Sequence, residues 1–112
     1  MKTLDLQEIR QSLEKDRRVL LERLRNGYQE TVAYEPINPT RSDLAWRYDW
    51  LQRKKLLLEQ AKKQLSDVER ALMRLENGEY GKCIRCNQPI HPDRLKVLPK
   101  AALCVNCKHK YE

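Results

Sequence analysis

The chain has 112 residues, no Phe, 6% aromatic and 35% charged side chains, and a formal net charge of +7. That is too little apolar material for a conventional globular core; it suits helices joined along a narrow seam, with a metal holding a small remainder together. No Ser/His/Asp grouping, phosphate-cradling glycine loop or metal-ligand set with an open position is present, so an enzyme is not expected.

Residues 3–25 read as an amphipathic helix, with Thr3 as a cap and Asp5 in the favourable first turn. Leu6, Ile9, Leu13, Leu20 and Leu24 form its apolar stripe, interrupted by Asp16 and Arg17. Asn26-Gly27 is a possible terminus, and continuation to about Ala33 is the alternative. The stretch 34–41 must break the helix because it holds Pro36 and Pro39. Asn38 and Ser42 are the candidate caps for the second helix. In 42–76, Leu44, Leu51, Leu58, Leu65 and Leu72 recur every seventh residue, with Ala61, Val68 and Leu75 three positions further on. A heptad sustained this long predicts a coiled coil, wetter near the turn where Arg47 and Lys54 take the second position. Asn77-Gly78 should stop it. Two helices joined by a short proline turn predict an antiparallel coiled-coil hairpin over 1–77, its tip near 34–45, followed by a separate module over 78–112. About 34 residues at 1.5 Å each would make a rod of roughly 50 Å.

The module contains all four cysteines, as Cys83-x-x-Cys86 and Cys104-x-x-Cys107. Two residues between paired cysteines let one turn aim both sulfurs at a single ion, and the loop between the pairs falls in the range of zinc sites. One structural Zn²⁺ held by four thiolates is therefore expected, with Gly81, Pro89, Pro92 and Pro99 suited to the turns. Disulfides would suit a secreted mini-protein, and a thioredoxin-like pair needs a βαβ pattern that the chain lacks. His91 and His109 read as solvated residues. Met1–Leu6 has no hydrophobic run, so neither a signal peptide nor a membrane span is expected, and zinc-ligand cysteines point to a cytoplasmic address.

Around the turn, Asp43 and Trp46 lie off the leucine column, where an exposed carboxylate beside an exposed Trp would meet a partner. An acid at a helix start is also ordinary capping chemistry, and residue types alone leave both roles open. Trp50 flanks the seam and reads as packing.

The segment from Gly78-Glu79-Tyr80-Gly81-Lys82-Cys83 through Pro89-Ile90, with Arg94-Leu95, Pro99 and Leu103-Cys104-Val105-Asn106-Cys107-Lys108, resembles the DksA/TraR family of bacterial transcription regulators. The resemblance implies a non-enzymatic monomer that binds RNA polymerase rather than DNA and inserts its coiled-coil tip into the secondary channel. The family's acidic tip motif, Asp-x-x-Asp-x-Ala, falls on Thr40, Asp43 and Ala45, so the second acid and the alanine are kept. By the same likeness Asp43 would act near the catalytic Mg²⁺ region, with Trp46 beside it. Of the basic residues with which the best-known members hold ppGpp, two fall on Asp67 and Leu98. One is kept, as Lys108, which argues against dependence on the alarmone. Two rival functions remain. Residues 78–112 carry seven basic and three acidic groups, a net +4, which would suit a zinc-ribbon protein bound to nucleic acid or the ribosome. A redox sensor releasing zinc on cysteine oxidation is the other.

Overall fold

The computed structural model describes residues 5–33 and 40–111. The expected Thr3 cap, the two prolines of the turn and the Asn38 cap lie outside them. Four helices run in the order α1 (Leu6–Ala33), α2 (Arg41–Asn77), α3 (Pro92–Val97) and α4 (Val105–Tyr111), and the strand pairing among the described residues is a lone bridge between Lys82 and Pro89. The class is mainly α: an antiparallel coiled-coil hairpin, then a four-cysteine zinc finger.

Helix α1 starts at Leu6, two residues later than a cap at Thr3 implies, because Asp5, expected in the first turn, is itself the cap. Its Oδ1 accepts from the amides of Gln7 and Glu8 at 3.0 and 3.3 Å, filling two of the donors that a helix start leaves orphaned. Ile9, Leu13, Leu20 and Leu24 are buried as the stripe predicts, whereas Leu6 is half exposed. The helix does not end at Asn26-Gly27. Gly27 is buried inside it, and a Cβ there would stand 2.5 Å from Leu58 Cδ2. The glycine is present for close approach of α2, and that packing offsets the roughly 1 kcal/mol that a mid-helix glycine costs relative to Ala.

The Gly27–Leu58 contact can be tested directly. Gly27→Ala gains about 1 kcal/mol of helix propensity but forces a methyl against a buried leucine, an overpacking cost of about 1–3 kcal/mol. Urea unfolding should show a net loss, which disappears when the substitution is made in a Leu58→Ala background. Equal effects in both backgrounds would refute the contact.

Helix α2 ends where expected. Gly78 adopts φ 72°, and the Glu79 amide reaches back to the Arg74 carbonyl at 2.9 Å, a left-handed closure that satisfies a carbonyl of the last turn. The leucine column is only partly internal. Leu58 is buried, Leu51, Leu65 and Leu72 are half-buried, and Leu44, expected on the seam, is 52% exposed. A seven-residue repeat drifts about 20° per heptad on a straight 3.6-residue helix, so members far from Leu58 rotate off the contact line. Ala61, Val68 and Ala71 fill the buried face instead.

The described residues pack as two compact units: Arg18–Leu65, and the earlier part of α1 together with everything from Ser66 onward. In the first, Glu30 pairs with Lys54, Gly27 meets Leu58, and Lys62 lies 5.2 Å from the Tyr28 ring centre. Glu30 meets Lys54 while Gly27, three residues earlier, meets Leu58, four residues later, so the two helices run antiparallel. Lys54, the expected wet position, is satisfied by Glu30 and by the Trp50 ring 5.9 Å away, which gives Trp50 its packing role. The second unit buries Ile9 and Leu13 of α1, Val68 and Ala71 of α2, and a cluster of Cys83, Ile90, Leu95 and Cys107.

Candidate metal centre

The local folding of residues 80–90 results from a tight turn around the first cysteine pair. The Cys83 amide donates to the Gln88 carbonyl at 2.8 Å and the Ile90 amide to the Gly81 carbonyl at 2.7 Å, while the Cys83 carbonyl accepts from the Asn87 amide at 2.9 Å. Closing that turn places Asn87 at φ 62°, a left-handed conformation that Asn tolerates better than other non-glycine residues. Asn87→Val should therefore cost about 1–2 kcal/mol and Asn87→Gly almost nothing, read as thermal unfolding of the zinc-loaded protein. Equal costs for the two would remove backbone strain as the reason for Asn.

The second pair is carried by the start of α4 and is tied to the first by the Ile84 amide, which donates to the Ala102 carbonyl at 2.9 Å. Helix α3 props the loop between the pairs. His91 caps it through Nδ1, which accepts from the Asp93 amide at 3.1 Å, and Pro92 opens it without an orphaned N–H. From α3, Leu95 is fully buried against the cysteines, and Arg94 Nε donates to the Leu103 carbonyl at 3.2 Å. Tyr80 clamps the other side, its hydroxyl donating to the Pro99 carbonyl at 2.7 Å; burial pushes that phenol up to about 12, so it stays a donor at neutral pH.

The four sulfurs of Cys83, Cys86, Cys104 and Cys107 lie within 4.8 Å of one another, and none forms a disulfide. Thiolates 2.3 Å from a tetrahedral ion stand roughly 3.8 Å apart. The Cys86–Cys104 separation is 3.7 Å, so that edge of the cage already has the length a bound ion requires. Burial works against a thiolate at Cys83, but the backbone N–H groups of Cys86, Cys104 and Arg85 outweigh it and hold the thiol below its usual range. Burial and the neighbouring sulfurs push Cys107 the other way. Sulfurs this close repel one another as anions, and a dication removes the repulsion. The Cys107 amide, 3.5 Å from Cys104 Sγ, adds a further N–H···S contact. The residues fit one Zn²⁺. With all four positions taken by protein the ion is structural, supplying a cross-link rather than a Lewis acid for substrate. Neither histidine joins the set: His91 is a cap, and His109 lines a shallow pocket with Arg94, Val105 and Lys108.

The sequence-selected tip residues sit at the start of α2. Thr40 is the N-cap. Its Oγ1 accepts from the Asp43 amide at 3.1 Å, and Asp43 Oδ2 accepts from the Thr40 amide at 3.0 Å and from the Thr40 hydroxyl at 2.9 Å. This reciprocal box caps the helix in place of Ser42, which lies inside α2. The Thr40 amide, and then its hydroxyl, hold the Asp43 carboxyl below its ordinary range. The box therefore stabilises α2 in full above the ordinary carboxylate pKa and is lost as pH falls through the depressed value. Ala45 is exposed and Trp46 51% exposed. Leu44 and Tyr48, 52% and 65% exposed and one turn apart, enlarge this apolar surface. The heptad hid it, because it placed Leu44 inside.

No helix among the described residues is long and apolar enough to cross a membrane. Residues 78–112 match the family model described as the prokaryotic dksA/traR C4-type zinc finger. Over its length the chain is similar to a solved structure of the transcription factor DksA2 from Pseudomonas aeruginosa, with TM-score 0.82 and 34% identity over 93% of this chain and 80% of that one. It is 35% identical over 51 residues, 46% of its length, to the RNA polymerase-binding transcription factor DksA of two Caulobacter vibrioides strains. It is likewise 35% identical over 48 residues to an uncharacterized protein of Aquifex aeolicus. The aligned stretches span 36% of each Caulobacter protein and 33% of the Aquifex one, about a third of those relatives' length.

Proposed function

The chain belongs to the DksA/TraR family, and from that premise we propose that it is a transcription regulator that acts by binding RNA polymerase. The observation that carries this reading is the likeness to a solved transcription factor across 93% of the chain, hairpin and zinc finger together. The Caulobacter relatives, named as RNA polymerase-binding, supply the partner.

In this reading the zinc finger is a rigid docking base and the exposed start of α2 is the working end, reaching into the secondary channel of polymerase. Asp43 supplies a negative charge, Ala45 leaves room beside it, and Trp46 with Tyr48 offers apolar anchoring surface. Thr40 holds the Asp43 carboxylate. Lys108, beside Arg94 and His109, is the one position that keeps a basic residue where the family contacts the alarmone, which argues against dependence on ppGpp.

The test is a pull-down of purified polymerase on immobilised protein, paired with in vitro transcription. Asp43→Asn should keep polymerase binding and lose about tenfold in effect on transcription, the size of one charge-assisted hydrogen bond. An unchanged transcription effect would remove Asp43 from the mechanism, and absence of polymerase binding by the unaltered protein would remove the function.

A further inference from the structure

Asp43 stands four residues before Arg47 on α2, a spacing at which carboxylate and guanidinium pair on a helix surface. Arg47 has reason to take that partner: its Nε is fully buried and makes no hydrogen bond. No Asp43–Arg47 ion pair forms among the described residues. Both hydrogen bonds that the carboxylate accepts come instead from Thr40, and both fall on Oδ2.

We propose that Thr40 is a positioning residue, holding the Asp43 carboxylate at the exposed start of α2 and off Arg47 so that it is presented to RNA polymerase. The proposal rests on the polymerase reading and deepens it. Any residue but proline could offer the amide at position 40; what Thr adds is the hydroxyl. Thr40 Oγ1 accepts from the Asp43 amide while its proton goes to the Asp43 carboxylate, so one atom works in both directions. An aspartate at position 40 would accept from the same amide but has no proton to give at neutral pH. It would also set a second negative charge against Asp43, which raises the pKa of a carboxyl. This chain therefore presents a single anchored acid where the family's tip motif carries two.

The experiment compares Thr40→Val, Thr40→Ser and Thr40→Asp in the zinc-loaded protein. The readouts are the Asp43 carboxyl titration by carbon-detected NMR, the effect on polymerase transcription, and helix content by circular dichroism. Thr40→Val should move the Asp43 midpoint up toward the ordinary carboxylate value and cut the transcription effect about tenfold, the scale of one hydrogen bond to a charged group. Thr40→Ser should preserve both, and Thr40→Asp should raise the midpoint above that of wild type. A Thr40→Val midpoint equal to wild type overturns the proposal, as does a shifted midpoint with full transcription effect. An inert Asp43→Asn in the same assay overturns the polymerase-facing role itself, and the titration then still reads whether Thr40 holds the carboxylate.

Discussion

Stripping zinc will unfold the module from Gly78 onward. Chelation, or Cys107→Ser, should release one zinc per chain and collapse the dispersed NMR signals of Ile90 and Leu95, while those of Gly27 and Leu58 change little. The module's buried cluster comprises Cys83, Ile90, Leu95 and Cys107, and two of those four are ligands. Without the ion, what remains is Ile90 and Leu95 with the half-buried Tyr80, Ala101 and Leu103 on two short helices and their loops, far below what holds so small a unit together. Structural zinc binding in small finger modules contributes about 10–16 kcal/mol, which here is most of the folding free energy of the module. Cys107→Ser should be worse than Cys86→Ser, because Cys107 is buried and Cys86 exposed, so a serine at 107 also leaves a hydroxyl without water. Retention of dispersed Leu95 signals in metal-free protein would show that the loops fold unaided.

Leu13→Ala should lower stability by about 2–5 kcal/mol, a large share of the total for a chain of this size. Leu13 is fully buried in the unit that also buries Val68 and Ala71, and truncating it leaves a void that two rigid helices close poorly. The informative comparison is Leu44→Ala. Leu44 heads the leucine column of α2, a position expected on the seam, but at 52% exposure its loss should cost less than about 1 kcal/mol. Urea midpoints measured at constant m-value decide the matter. A Leu44→Ala cost equal to that of Leu13→Ala would mean that the leucine column packs inward along its whole length.

The zinc centre is legible in the residue order because ligand chemistry is local: two Cys-x-x-Cys turns bring sulfurs together almost irrespective of the rest of the chain. Its supports are not. Nothing in the residue order pairs the Tyr80 hydroxyl with the Pro99 carbonyl, or Arg94 Nε with the Leu103 carbonyl, since those partners meet only after the loops close. The start of α2 shows the same division. Thr40 and Asp43 both stand out, Asp43 as a cap or a contact and Thr40 through the family motif. That they form one reciprocal box depends on where the helix begins.

Residue order alone determined the two long helices, the stop at Gly78 and the four-thiolate cage. Each of these depends on periodicity, a left-handed glycine or ligand spacing, all set within a few turns of chain. Tertiary packing decided the rest. Gly27 leaves the end of α1 open until Leu58 rests on it, and Leu44 reads as core until helical drift carries it outward. A glycine inside a helix and a leucine in a heptad have no meaning of their own; the neighbouring helix assigns it, by what it covers and what it leaves in water.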